Sequence, residues 1–181
     1  MKLVFAELRK LSYSKSTYGL TLASIFIAVL STVVTPIVIA DDVTGLFGSL
    51  QDQAMVDGVY ANAVSSYIFA IILGILIMSG EFRHGTAVAT FLASPKRARV
   101  LGAKLLVAAF AGALMQIVSV GFAVAAGWYT LSFFEDVAEP SEAVFLNLSL
   151  AALLSGAVLG IVGVAIGSLI RNQLIAIVST L

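Results

Sequence analysis

Residues 144–170 read VFLNLSLAALLSGAVLGIVGVAIGSLI, a run without a single charged residue. A membrane-spanning helix needs about 20 consecutive, mostly apolar residues, so this run predicts one span. Two Gly-x-x-x-Gly pairs punctuate it: Gly156 and Gly160, then Gly163 and Gly167. Because small residues let helix backbones approach closely in lipid, the pattern predicts a packing surface. We favour packing within the chain's own bundle over a dimer face, and the face of a substrate channel is a third reading.

Three further apolar runs, at residues 18–40, 61–79 and 105–131, predict three more spans. The chain is 60% hydrophobic and only 11% charged, whereas soluble domains are about 25% charged. Since a soluble fold of this size could not cover so much apolar surface, lipid must cover part of it. The predicted fold class is therefore an all-α, polytopic transmembrane helix bundle, with residues 1–181 as a single domain. Residues 174–181 are interpreted as the start of a fifth span that is truncated.

All ten Lys and Arg residues fall on one predicted side of the bilayer. They lie in residues 1–17, in the connection 80–104 and at Arg171, whereas connections 41–60 and 132–143 carry eight acids and no base. The positive-inside rule then places the N-terminus and connection 80–104 in the cytoplasm. We expect a multi-pass protein of the plasma (inner) membrane. The net charge of zero gives no indication of a nucleic-acid partner.

The N-terminal segment, residues 1–17, is itself patterned. Its apolar residues recur at helical spacing, which predicts a short amphipathic helix lying on membrane lipid in the cytoplasmic interface. A basic tail that only sets orientation is the alternative. Lys104 stands at the predicted start of the third span, where its side chain could reach the interface. Gln116, with Ser119 nearby, is the main polar spot inside a span, and we expect it to bond another helix rather than line a path.

Several classes of chemistry are disfavoured by the sequence. It contains no cysteine, no phosphate-binding Gly-x-x-x-x-Gly-Lys-Ser/Thr pattern and no ionisable residue in the middle of a span. The last feature argues against a secondary transporter, since mid-span charges mark ion and proton paths. His84 is the only histidine, and its i, i+3 pairing with Glu81 cannot supply a full metal ligand set. We therefore predict no catalytic residue, no cofactor, no metal site and no enzymatic activity in this chain.

The connection 80–104 is the most distinctive segment. Thr86 can cap a short helix that continues through Leu92, and Ser94 with Pro95 would end it. Such a helix would hold apolar side chains beneath the membrane between charged flanks. An ordinary basic loop that only sets topology is the simpler reading.

This connection resembles the one found in the membrane (permease) subunits of type 2 ABC exporters. The matching positions are Glu81, Arg83, Gly85, Thr86, Pro95, Arg97 and Lys104. The resemblance implies that the connection is a coupling loop that docks on a separate cytoplasmic ATP-binding subunit, where ATP would be hydrolysed. It also implies a second permease chain, as a homodimer or a heterodimer. The docking residues would be Glu81, Arg83, His84, Gly85, Thr86, Phe91 and Leu92. A non-transporting membrane scaffold or sensor that binds a cytoplasmic partner through the same loop is the alternative.

Overall fold

The computed structural model of the protein describes residues 2–41, 48–83 and 97–169. Within these ranges the chain forms helices and no strand. The helices are α1 (Lys2–Ser12), α2 (Lys15–Ala40), α3 (Gln53–Ala61), a 3₁₀ segment (Asn62–Tyr67), α4 (Ile68–Arg83), α5 (Arg97–Leu131) and α6 (Glu142–Leu169). The predicted all-α class is confirmed, and α1 is the short helix expected near the N-terminus.

Within residues 2–41, 48–83 and 97–169, four helical stretches are long and apolar enough to cross a membrane: Lys15–Ala40, Gln53–Gly80, Ala98–Leu131 and Glu142–Leu169. The second begins earlier than the apolar run at residue 61, because Asp52 starts a helix by accepting a hydrogen bond from the Ala54 amide at 3.1 Å. The helix therefore begins before the apolar run does. The predicted start of a fifth span lies outside the described residues.

Helix α5 is much longer than the bilayer requires. Its 35 residues give a length of about 52 Å at 1.5 Å per residue, whereas the hydrocarbon core is about 30 Å thick. The extra turns lie at its start, where Arg97, Arg99 and Lys104 occur. The last part of the predicted loop 80–104 is thus helical, as is its beginning, since α4 continues to Arg83.

Helix α2 runs parallel to α5. Near the start of α2, the hydroxyls of Ser24 and Ser119 lie 2.8 Å apart. Two turns further along both helices, a methyl group built on Gly127 would lie 2.7 Å from Cγ2 of Thr32. The two contacts follow the same order along both helices, which fixes their relative direction.

Helix α6 packs its glycine face against both α4 and α5. Gly156 lies against the backbone of Gly112 and Gly160 against that of Ala108, so α6 runs antiparallel to α5. On α4, Gly163 meets Ile71, while Gly167 meets Ile75 and Met78 further along, so these two helices run parallel. The small-residue pattern thus serves packing inside this bundle. The four glycines are buried.

This arrangement separates the charges. The described bases Arg9, Lys10, Lys15, Arg99 and Lys104 lie at one end of the bundle, which we call the basic end. At the opposite, acidic end, the Asp57 carboxylate accepts a hydrogen bond from the Ser141 amide at 2.9 Å. Gln53 there donates to the Glu139 carbonyl at 3.2 Å. Basic and acidic segments alternate along the sequence, and in the folded bundle they lie at opposite ends.

Candidate functional site

A buried ion pair lies at the basic end, where α1, α4 and α5 meet. The Lys104 ammonium is 3.0 Å from one Glu7 carboxylate oxygen and donates to the Ile77 carbonyl at 3.3 Å. The other Glu7 oxygen accepts from Lys10 at 2.7 Å. Glu7 is 6% exposed and Lys104 1% exposed, so both charges have left water. Removing two charges from water is costly, so a buried ion pair is stable only when its opposite charges stay in contact.

Glu7 is buried because it shares a face of α1 with apolar residues. Leu3, Glu7 and Leu11 follow one another at four-residue spacing, which places them on one side of a helix. That side packs on the bundle, whereas Phe5 and Arg9 point outward. The amphipathic pattern is therefore present as predicted, with a carboxylate set inside its apolar stripe. That carboxylate within an apolar stripe is the sequence signal for the site.

Lys104 does not reach the interface, contrary to the sequence-based expectation. Its side chain is covered because α1 lies across the start of α5 and offers the Glu7 carboxylate as a partner. Ile77 belongs to α4, which precedes residues 84–96, and Lys104 belongs to α5, which follows them. One ammonium group thus bonds to both helices that flank the loop, and to α1.

The charges around Glu7 decide its protonation state. Burial raises the pKa of the Glu7 carboxyl, but the hydrogen bond from Lys10 and the charge and hydrogen bond of Lys104 outweigh burial. Together they hold the pKa of Glu7 below its usual value of 4.5. The carboxylate is therefore charged at neutral pH, and the ion pair is intact there.

A second polar contact lies deeper in the bundle, where the 3₁₀ segment Asn62–Tyr67 interrupts the second span. Fully buried Gln116 donates to the Val64 carbonyl at 3.0 Å and accepts from the Ser66 hydroxyl at 3.3 Å. A 3₁₀ segment changes the backbone bonding pattern, and in lipid its carbonyls need internal partners. Gln116 supplies one, so it joins α5 to the second span, as expected of a helix-to-helix contact.

The predicted docking residues lie only partly within the described chain. The backbone positions of Glu81 and Arg83 form the end of α4. His84, Gly85, Thr86, Phe91 and Leu92 fall outside the described residues. The predicted short helix of the coupling loop therefore remains a prediction from sequence.

A bound metal ion requires several ligand groups close together. Across residues 2–41, 48–83 and 97–169, no three His, Cys, Asp or Glu side chains are grouped so that they could hold a metal ion. His84 is not among the described residues, so its pairing with Glu81 is not placed. At the basic end, the contacts of the Lys104 ammonium join α1, α4 and α5.

Comparison with known proteins finds no family model, no curated protein and no solved structure that matches this chain.

Proposed function

We propose that the chain is the transmembrane permease subunit of an ATP-driven exporter of the type 2 ABC class. It would work with a separate cytoplasmic ATP-binding subunit and a second permease chain, which would form a homodimer or a heterodimer with it. The basic end would face the cytoplasm at the plasma (inner) membrane. The motif from Glu81 to Lys104 supports the proposal, as does the charge polarity of the bundle.

The single observation that carries the mechanism is the position of Lys104. Its ammonium bonds to Ile77 of α4 and Glu7 of α1 from within α5. A displacement of the loop between α4 and α5 would therefore move all three helices together. A loop that only sets the topology would not require a bond that joins the two helices on either side of it.

In this mechanism the ATP-binding subunits and the spans form one assembly with two conformations. ATP would favour one conformation at the cytoplasmic subunit, and the loop would transmit that preference to the spans. Hydrolysis would occur in the partner, and this chain would supply the path and the contact surface.

Replacing Arg83 and Phe91 together by Ala is expected to reduce copurification of an ATP-binding subunit about tenfold or more, because Arg and aromatic residues dominate the energy of protein interfaces. The measurement is tagged purification from native membranes, with the partner identified by a Walker-type phosphate-binding motif. The control variant carries Arg99→Ala and Phe133→Ala, two exposed positions that are not among the predicted docking residues.

The result decides between the two functions. Copurification that the loop variant loses and the control keeps supports the permease. A stable loop partner without an ATP-binding motif would support the scaffold or sensor instead. Failure to recover any ATP-binding subunit, with membrane insertion intact, would refute the permease proposal.

A further inference from the structure

A cleft of about 280 Å³ separates α1 from the helices beneath it at the basic end. Residues from four helices line it: Leu8, Leu11 and Ser12 of α1, Thr17, Tyr18 and Thr21 of α2, Leu73 of α4, and Phe110, Ala111, Leu114, Met115 and Val118 of α5. The volume is near the lower limit of about 300–1,000 Å³ for small-molecule sites. The cleft is therefore large enough for part of a ligand.

The lining of the cleft behaves as an apolar surface, although it includes several hydroxyl groups. The hydroxyls at its rim are engaged with backbone: Tyr18 donates to the Ser12 carbonyl at 2.8 Å, and Thr21 donates to the Thr17 carbonyl at 2.9 Å. Water needs two to four polar partners to occupy a cavity, and these walls offer few. An empty cleft would lose dispersion contacts along its whole surface.

The cleft opens sideways onto the lipid-facing surface. Phe110 and Leu114, which line it, are 60% and 53% exposed, and neighbouring Leu22 is 67% exposed. Exposed apolar residues on helices that can span a membrane are covered by acyl chains. The hydrocarbon next to the opening is thus the available occupant.

Two exposed bases adjoin lining residues of the cleft along the chain. Arg9 follows Leu8 on α1, and Lys15 stands two residues before Thr17 on α2; the Arg9 guanidinium lies over the Tyr13 ring at 5.9 Å. Glu7, the one acid of α1, is ion-paired with Lys10 and Lys104. This corner therefore presents positive charge at headgroup level, which attracts anionic lipids.

We propose that the cleft holds one acyl chain of an anionic phospholipid, with the lipid phosphate between Arg9 and Lys15. The bound chain would complete the packing of α1 on the bundle beside the Glu7–Lys104 pair. The proposal stands whether or not the chain is a transporter.

The test uses tryptophan reporters quenched by brominated lipids in reconstituted vesicles. In a Trp128→Phe background, Phe110→Trp places a reporter at the cleft, and Phe122→Trp places a matched reporter on the same helix, 57% exposed and away from the cleft. Brominated phosphatidylglycerol or brominated phosphatidylcholine is added as a minor component to unbrominated phosphatidylcholine. We expect phosphatidylglycerol to quench the reporter at position 110 more strongly, and the two lipids to quench equally at position 122.

Two kinds of variant assign the preference to the cleft. Arg9→Gln and Lys15→Gln should each lower the phosphatidylglycerol preference at position 110 about fivefold, since a base near an anionic lipid surface contributes about 1 kcal/mol. Arg99→Gln changes an exposed base that lies eleven residues before Phe110, the first lining residue on α5, and should leave the preference unchanged. Ala111→Leu, which fills the cleft, should abolish it, with thermal unfolding confirming that each variant folds.

Three results would overturn the proposal. Equal quenching by both lipids at position 110 would show no headgroup selection. A preference that survives the combined Arg9→Gln and Lys15→Gln change would place the phosphate elsewhere. Quenching at position 122 but not at position 110 would mean that a second copy of the chain, rather than lipid, covers the cleft.

Discussion

Gly156→Ala is expected to lower the free energy of unfolding by about 3 kcal/mol, the upper part of the range for overpacked interiors. A methyl group at this position would lie 2.7 Å from the Gly112 carbonyl carbon and 2.8 Å from the Ala113 Cα, and would overlap the Gly112 carbonyl oxygen. All three are backbone atoms of α5, so no side-chain rotation relieves the overlap. The measurement is denaturant or thermal unfolding in detergent micelles.

Gly121→Ala is the matched control. It also lies in α5, but a methyl group there meets nothing within 4 Å. Since Ala favours a helix over Gly by about 1 kcal/mol, this change should leave stability unchanged or raise it. If Gly156→Ala unfolds at the same denaturant concentration as Gly121→Ala, then α5 and α6 do not approach as described. The same result would also contradict the packing of α6 on α4, because α6 uses the same glycine face for both helices.

Removing one partner of the buried pair is the second change with a large expected effect. Glu7→Gln and Lys104→Met should each cost about 3 kcal/mol, because each removes one charge of a buried, hydrogen-bonded ion pair while the other charge stays buried. The double variant should cost less than the two single losses combined, since no charge then remains buried at the pair. Lys10→Met is the control: the Lys10 side chain is 53% exposed, so its ion pair should contribute about 0–1 kcal/mol.

Release of α1 can be followed in the same variants. The chain has no natural cysteine, so a single Leu11→Cys introduces one label site on the inner face of α1. Maleimide labelling should be slow in the parent and faster in each single variant. If the losses of stability simply add in the double variant, Glu7 and Lys104 are not coupled and the ion pair does not hold α1.

Acid should reproduce the effect of Glu7→Gln. Because the folded protein holds the pKa of Glu7 below its usual value of 4.5, the pair's contribution is fully present above 4.5. It is lost as the pH falls through the lowered pKa. The difference in Tm between the parent and Glu7→Gln should therefore be constant down to pH 4.5 and vanish in stronger acid.

The sequence predicts those parts of the fold that depend on local pattern. The four apolar runs and the glycine spacing of α6 each follow from residues that are neighbours along the chain. The Glu7–Lys104 pair joins residues 97 positions apart, so helical periodicity shows that Glu7 shares a face with Leu11 but not what covers it. The 3₁₀ segment Asn62–Tyr67 likewise does not follow from local sequence pattern. It contains no Pro or Gly, and the partner for its Val64 carbonyl comes from Gln116 on another helix.

The most direct test of the proposed function is photo-crosslinking from the loop in native membranes. A photoreactive phenylalanine analogue placed at Phe91 should crosslink to a protein that carries a Walker-type ATP-binding motif, and ATP should change the yield. The same analogue at Phe133, which is 69% exposed and lies at the acidic end, should give no such product. Absence of an ATP-binding subunit among the products from position 91, with the protein inserted and folded, would contradict the assignment of this chain as an ABC permease.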